Sequence, residues 1–200
     1  MQARFFKMSY QYYNRHADNF LNDTANLDMT AHYKKFLNYL DAGAAILDAG
    51  CGSGRDAQKF KDLGFNVSAF DASIEMVKAA IKLTGLQIAQ MTFEEISLAQ
   101  KYDGIWACAS LLHVERKNLK NVMINLSKSL NEGGVIYSSF KYGETERQKG
   151  ERYFNDMNEA LLKEIISDVP SLRFTEAWIS KDARKDRSSE SWLNCILTKI

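Results

Sequence analysis

"ILDAGCGSGRD", residues 46–56, decides the fold. A short apolar run ends at Asp48, and glycines then alternate at 50, 52 and 54. Glycine lacks a Cβ, so such a turn lets backbone approach a ligand closely. A phosphate P-loop is excluded: it needs lysine and Ser/Thr behind its last glycine, and Arg55 and Asp56 stand there. A dinucleotide fingerprint spaces its glycines G-x-G-x-x-G, and here the third arrives one residue early. A carboxylate two residues before Gly50 would repel a pyrophosphate. It favours a ligand with positive charge and hydrogen-bond donors. Asp71 ends the next apolar run, where an acid that accepts from ribose hydroxyls belongs.

Outward from this motif, strands and helices alternate. "AAILDAG" predicts a strand and "RDAQKFKDLG" a helix stopped by Gly64. "NVSAFD", "LQIAQM", "YDGIWACAS" and "VIYSSF" predict four more strands. "SIEMVKAAIKLTG" predicts a helix between the first two of them. Leu119, Val122, Met123, Leu126 and Leu130 follow helical spacing, with Gly133-Gly134 as terminator. A further helix is expected from Asp156, with Glu159 completing a capping box, to Pro170. "RFTEAWIS" and "SWLNCILTKI" close the chain as strands without a helix between them, so they are expected to pair antiparallel. Upstream, Tyr33, Phe36, Leu37 and Leu40 share a helical face with Thr30 as expected N-cap, and Tyr10 to Leu21 reads as another helix. The expected architecture is α/β: a Rossmann-like, doubly wound, mostly parallel seven-stranded sheet with an antiparallel edge strand and helices on both faces. A single domain over 1–200 is expected, with an N-terminal helical extension or lid over 1–41 and the core over 42–200.

Composition narrows the function. Net charge is +1, so no broad attraction to nucleic acid or anionic membrane is expected. No stretch is apolar enough to span a bilayer or to serve as a signal peptide. Three cysteines without a CxxC argue against disulfides and zinc, so no metal is expected; Cys51, Cys108 and Cys195 read as buried thiols of a cytoplasmic protein.

With the motif, Asp71 and the strand order together, the chain resembles the class I S-adenosylmethionine-dependent methyltransferases over most of residues 10–200. Within that family its compact layout is similar to the tellurite-resistance and thiol methyltransferases. The resemblance implies S-adenosylmethionine as cofactor and S-adenosylhomocysteine as product. It places Asp48, Gly50, Cys51, Gly52, Gly54 and Arg55 of the first motif at the cofactor. It adds Asp71 at the ribose, with Ala72, Ser73, Met76, Thr92 and Phe93 about the adenine. Ala109 and Leu112 then line the methionine end, and Tyr13 contacts the cofactor from the N-terminal segment. Many relatives carry aspartate where Thr92 stands, so the adenine contact here leans on backbone.

Methyl transfer from a sulfonium is an in-line displacement that asks the protein mainly for alignment and exclusion of water. No catalytic triad is expected. His113 is the candidate general base, with a backbone-holding role as its alternative. Lys141 and Tyr142 are candidate substrate residues, and Arg147, Arg152, Arg184 and Arg187 could hold an anionic acceptor. Trp178 and Trp192 read as core. The nucleic-acid motifs [DNS]-P-P-[YF] and Pro-Cys are missing, which favours a small-molecule acceptor over nucleic acid. Oligomeric state is not legible. An RNA or protein methyltransferase with a recognition partner, a non-catalytic nucleoside-binding module and a nicotinamide dehydrogenase stay open.

Overall fold

The computed structural model describes residues 6–96 and 101–200. Seven strands form one sheet in the order β3 (Ile88–Gln90), β2 (Asn66–Asp71), β1 (Ala45–Ala49), β4 (Tyr102–Ala107), β5 (Leu130–Lys141), β9 (Ser191–Lys199), β8 (Leu172–Lys181). The first five are parallel, and β9 runs antiparallel to both β5 and β8. The antiparallel strand therefore lies one place inside the edge, which β8 occupies. The chain winds outward from β1 to β3, then returns to β4 on the other side. The switch point falls between β1 and β4, where open α/β sheets bind ligands.

Strict alternation along the strands builds a core on each face. Ile46, Trp106, Val135, Tyr137 and Ile196 pack with Met29, Tyr33, Phe36 and Phe60. Their sequence neighbours Leu47, Ile105, Ile136, Cys195 and Leu197 pack with Leu119, Met123, Leu126, Leu162 and Ile166. Successive strand residues point to opposite faces, so a sheet covered on both sides reads as a continuous apolar run. The first face carries α3 (Thr30–Leu37) and α4 (Arg55–Asp62); the second carries α6 (Arg116–Lys128) and α7 (Glu159–Ser167). α5 (Ile74–Thr84) packs on α4 and β3, capped by the Ser73 hydroxyl and ended by Gly85.

Several expectations shift. The segment from Tyr10 to Leu21 is two helices, α1 (Phe6–Arg15) and α2 (Ala17–Thr24), broken at His16. Of the 1–41 extension, residues 1–5 lie outside the described residues. Thr30 does not cap α3; the Asp28 carboxylate accepts from its backbone N–H at 2.9 Å. Asp156 does not cap α7; Asn158 does, accepting from Leu161 N–H at 2.9 Å. α6 ends at Lys128, and Leu130 already pairs with Tyr102 in the sheet, so its apolar character serves a strand. The sequence reading also missed a hairpin of β6 (Glu146–Lys149) and β7 (Arg152–Asn155). Gly150, at φ +61°, makes its two-residue turn possible. Among the described residues no helix is long and apolar enough to cross a membrane.

Candidate functional site

A cavity of about 280 Å³ opens at the carboxyl ends of β1, β2, β4 and β5. Gly50, Cys51, Gly52 and Ser53 form one wall. Asp71, Ala72, Met76, Met91, Thr92 and Phe93 form the next. Ala109, Ser110, Leu112 and His113 follow β4. Tyr13, Phe20 and Thr24 of the N-terminal helices cover it. The glycine turn is required sterically. Gly50 has φ +75°, and a Cβ there would meet Ser110 Cβ at 2.5 Å. A Cβ on Gly54 would lie 2.9 Å from Ala80 Cα, so this glycine serves the packing of α4 on α5. Ala109 holds φ 51°, unusual for a residue with a side chain, and its N–H donates to Ser139 Oγ at 2.8 Å. Such strain collects at functional sites.

Asp71 stands at the cavity wall with both oxygens oriented. Oδ2 accepts from Gly52 N–H at 2.9 Å and Oδ1 from Ser73 N–H at 2.8 Å. Burial raises its pKa, against these backbone donors. Each oxygen retains acceptor capacity for a ligand hydroxyl.

Asp48 does not line the cavity. It lies behind the glycine turn, 2% exposed, with Oδ2 unpartnered among the described residues. Burial first, and then the charge of Asp56, push its pKa well up. Asp56 is the hub that sequence reasoning missed. Oδ1 accepts from Tyr33 Oη at 2.5 Å and Arg55 Nε at 2.6 Å. Oδ2 accepts from Trp106 Nε1 at 2.8 Å and Arg55 Nη2 at 2.9 Å. Burial opposes its charge, but the Arg55 guanidinium and these donors win and hold its pKa low. Arg55 also donates to the Thr24 carbonyl at 3.1 Å, tying the cover to the glycine turn. No local pattern announces this hub, since a first-turn aspartate usually faces the helix dipole.

His113 and Tyr13 form a pair 100 residues apart in sequence. His113 Nδ1 lies 2.7 Å from the Tyr153 carbonyl, which can only accept, so Nδ1 carries the proton. Nε2 then accepts from Tyr13 Oη at 2.9 Å. Burial lowers the His113 pKa to about 4; the Tyr153 bond opposes this and the Arg152 charge adds to it. Tyr13 is raised by burial against Arg152.

Of the expected site residues, Tyr13, Gly50, Cys51, Gly52, Arg55, Asp71, Ala72, Met76, Thr92, Phe93, Ala109, Leu112, His113 and Lys141 share the cavity wall. Four do not. Asp48 and Gly54 lie behind it. Ser73 is fully buried, capping α5 and donating to Asn14 Oδ1 at 2.7 Å. Tyr142 turns away, 47% exposed, because the residue after Lys141 points to the opposite face. Lys141 faces inward but is neutralised: Nζ donates to Asp182 at 2.7 Å and also to Glu190. Trp192, expected in the core, lines the cavity under that ammonium, 4.1 Å from ring centroid to Nζ. Arg147, Arg152, Arg184 and Arg187 all reach the wall.

Residues 46–134 match a family model described as a methyltransferase domain. A ubiquinone biosynthesis O-methyltransferase of Rickettsia conorii is 34% identical over 121 residues, 58% of this chain and 41% of that protein. Two crystal structures share the fold at 18% identity. One is the 1,6-didemethyltoxoflavin-N1-methyltransferase of Burkholderia thailandensis, bound to 1,6-didemethyltoxoflavin and S-adenosylhomocysteine, with a TM-score of 0.76 over 94% of this chain and 84% of that one. The other is the N-methyltransferase NodS of Bradyrhizobium japonicum with S-adenosylhomocysteine, at 0.73 over 96% and 98%. The fold is the one these two methyltransferase structures share. The chain spans about half the length of the curated relatives it matches first, 41% and 57% of two of them. The segment that matches the family model runs from β1 through the start of β5. It thus includes the glycine turn, Asp71 and the strand that delivers His113.

Proposed function

We propose that this chain is an S-adenosylmethionine-dependent methyltransferase acting on a small-molecule acceptor. One observation carries the reading: an acid at the tip of β2, oriented by two backbone N–H groups, faces a cavity floored by a glycine turn at the tip of β1. That set suits a nucleoside whose ribose diol donates and whose far end is cationic. Asp71 takes the diol. Ala72, Met76, Thr92 and Phe93 border the adenine, with the Thr92 hydroxyl engaged in a capping box with Glu95. Gly50, Cys51, Gly52, Arg55, Ala109 and Leu112 surround the remainder, and Tyr13 covers it. A cationic ligand in front of the turn favours the ionised form of the buried Asp48, whose Oδ2 has no partner among the described residues.

The cofactor, when bound, supplies an electrophilic methyl group on a sulfonium. The protein excludes water through its N-terminal helices and aligns the acceptor. His113 offers an unprotonated Nε2 near neutral pH, currently bonded to Tyr13, to a proton leaving the acceptor. Helices α1 and α2 supply the cover over the α/β core, within one domain. Arg147, Lys141 and Arg184 each pair with acids, which lowers the positive charge at the cavity mouth and supports a small molecule over nucleic acid. The three cysteines are unpaired, which fits a reducing, cytoplasmic setting. Calorimetry tests the reading: S-adenosylmethionine and S-adenosylhomocysteine bind and NAD does not, and labelled methyl appears in an acceptor from a metabolite panel. Binding of NAD alone would make the chain a dehydrogenase, and binding without transfer a nucleoside module.

A further inference from the structure

The hairpin side of the cavity holds a cation with no ion pair among the described residues. Arg152 lines the cavity, its Nε is buried without a hydrogen-bond partner, and it makes no ion pair among the described residues. Its neighbours differ. Arg147 is paired with Asp156 at 2.5 Å, Arg184 with Asp182 at 2.6 Å, and Lys141 with Asp182 at 2.7 Å. The Arg152 guanidinium carbon lies over the Tyr12 ring at 4.5 Å and the Phe154 ring at 5.3 Å. The two rings hold the guanidinium in place, and its Nε donor is left for a ligand. Lys149, its cross-strand partner in the hairpin, also lines the cavity without an ion pair among the described residues. A buried donor left without an acceptor is costly, and a planar fork of donors matches a carboxylate.

Resting on the methyltransferase reading, we propose that Arg152 binds a carboxylate of the methyl acceptor. The hairpin then sets specificity for small organic acids. The position is apt. Arg152 is close enough for its charge to act on both Tyr13 and His113. Phe154, which the guanidinium touches, packs against the His113 ring at 5.2 Å between centroids. A carboxylate held there brings its neighbouring nucleophile beside the Tyr13–His113 pair.

The test is calorimetric and needs no turnover. The protein saturated with S-adenosylhomocysteine is titrated with isosteric pairs: benzoate and benzamide, salicylate and salicylamide, 4-hydroxybenzoate and 4-hydroxybenzamide, phenylacetate and phenylacetamide. At least one acid is expected to bind about tenfold or more tightly than its amide, as one charge-assisted pair implies. Arg152→Gln should abolish that preference, Arg152→Lys should keep part of it, and S-adenosylhomocysteine affinity should be unchanged in both. Three results would overturn the proposal: no acid preferred over its amide, a preference that survives Arg152→Gln, or inorganic phosphate binding in preference to every acid. Failure of S-adenosylhomocysteine to bind would instead strike the methyltransferase reading. The same titrations on the free protein then decide the anion subsite alone.

Discussion

Asp56→Asn should be the most damaging near-isosteric change in the molecule. Four donors converge on its two carboxylate oxygens, two on each. An amide supplies one oxygen and one NH2, so in either orientation two donors face a donor. Arg55 also loses its counter-charge while 20% exposed. Breaking a buried pair from one side costs about 3–5 kcal/mol, out of a stability of about 5–15 kcal/mol. At a slope of about 2 kcal/mol per molar urea, the midpoint should fall by about 1.5–2.5 M with the slope unchanged. Tyr33→Phe removes one donor and should cost about 1 kcal/mol. The sign of the pH dependence follows from the lowered Asp56 pKa. A carboxyl held below its ordinary value stabilises the fold above the unfolded pKa, about 3.9, and that stability is lost as pH falls through the folded value. The gap between wild type and Asp56→Asn should therefore be constant from about pH 7 to 5 and close below about pH 4. A loss under about 1 kcal/mol, or a gap still full at pH 2, would refute the hub as a charged one.

Other outcomes follow from the same geometry. Asp71→Ala should weaken S-adenosylhomocysteine binding by about 1–3 kcal/mol in calorimetry; unchanged affinity would remove Asp71 from the site. Asp48→Asn should weaken S-adenosylmethionine more than S-adenosylhomocysteine, which lacks the sulfonium charge, and equal losses would contradict its electrostatic part. The same change should stabilise the free protein in urea at pH 7. An acid whose pKa is raised in the fold destabilises increasingly above its unfolded pKa, about 3.9, so the advantage should vanish below about pH 4. His113→Gln should slow methyl transfer while retaining cofactor affinity. Its folded pKa of about 4 lies below the ordinary 6.5, so the unfolded chain binds more protons between them. Wild type should lose up to about 3 kcal/mol relative to His113→Gln as pH falls through that window. A constant difference across the window would mean that His113 is not buried neutral.

The local pattern carried much of the architecture. "ILDAGCGSGRD" reads as strand, turn and helix because apolar alternation, glycine freedom and helix onset are properties of a few adjacent residues. Asp71 was legible for the same reason, as the acid ending a strand of known order. The hairpin at 146–155 was not, since "ERQK" and "RYFN" bury too little apolar surface to alternate visibly. Leu130 fitted a helical spacing, and only pairing with Tyr102 made it a strand residue.

The sequence by itself determined the order of the seven sheet strands, the glycine turn and the acid that ends the second strand, because those depend on neighbours in the chain. Only the tertiary structure decided that Asp48 stands behind the cavity, that Tyr142 faces away, and that Lys141 is already neutralised. It alone brought Tyr13 to His113 and left Arg152 without an ion pair among the described residues. Charge pairing and burial depend on which distant side chains share a volume, and no spacing along the chain encodes that.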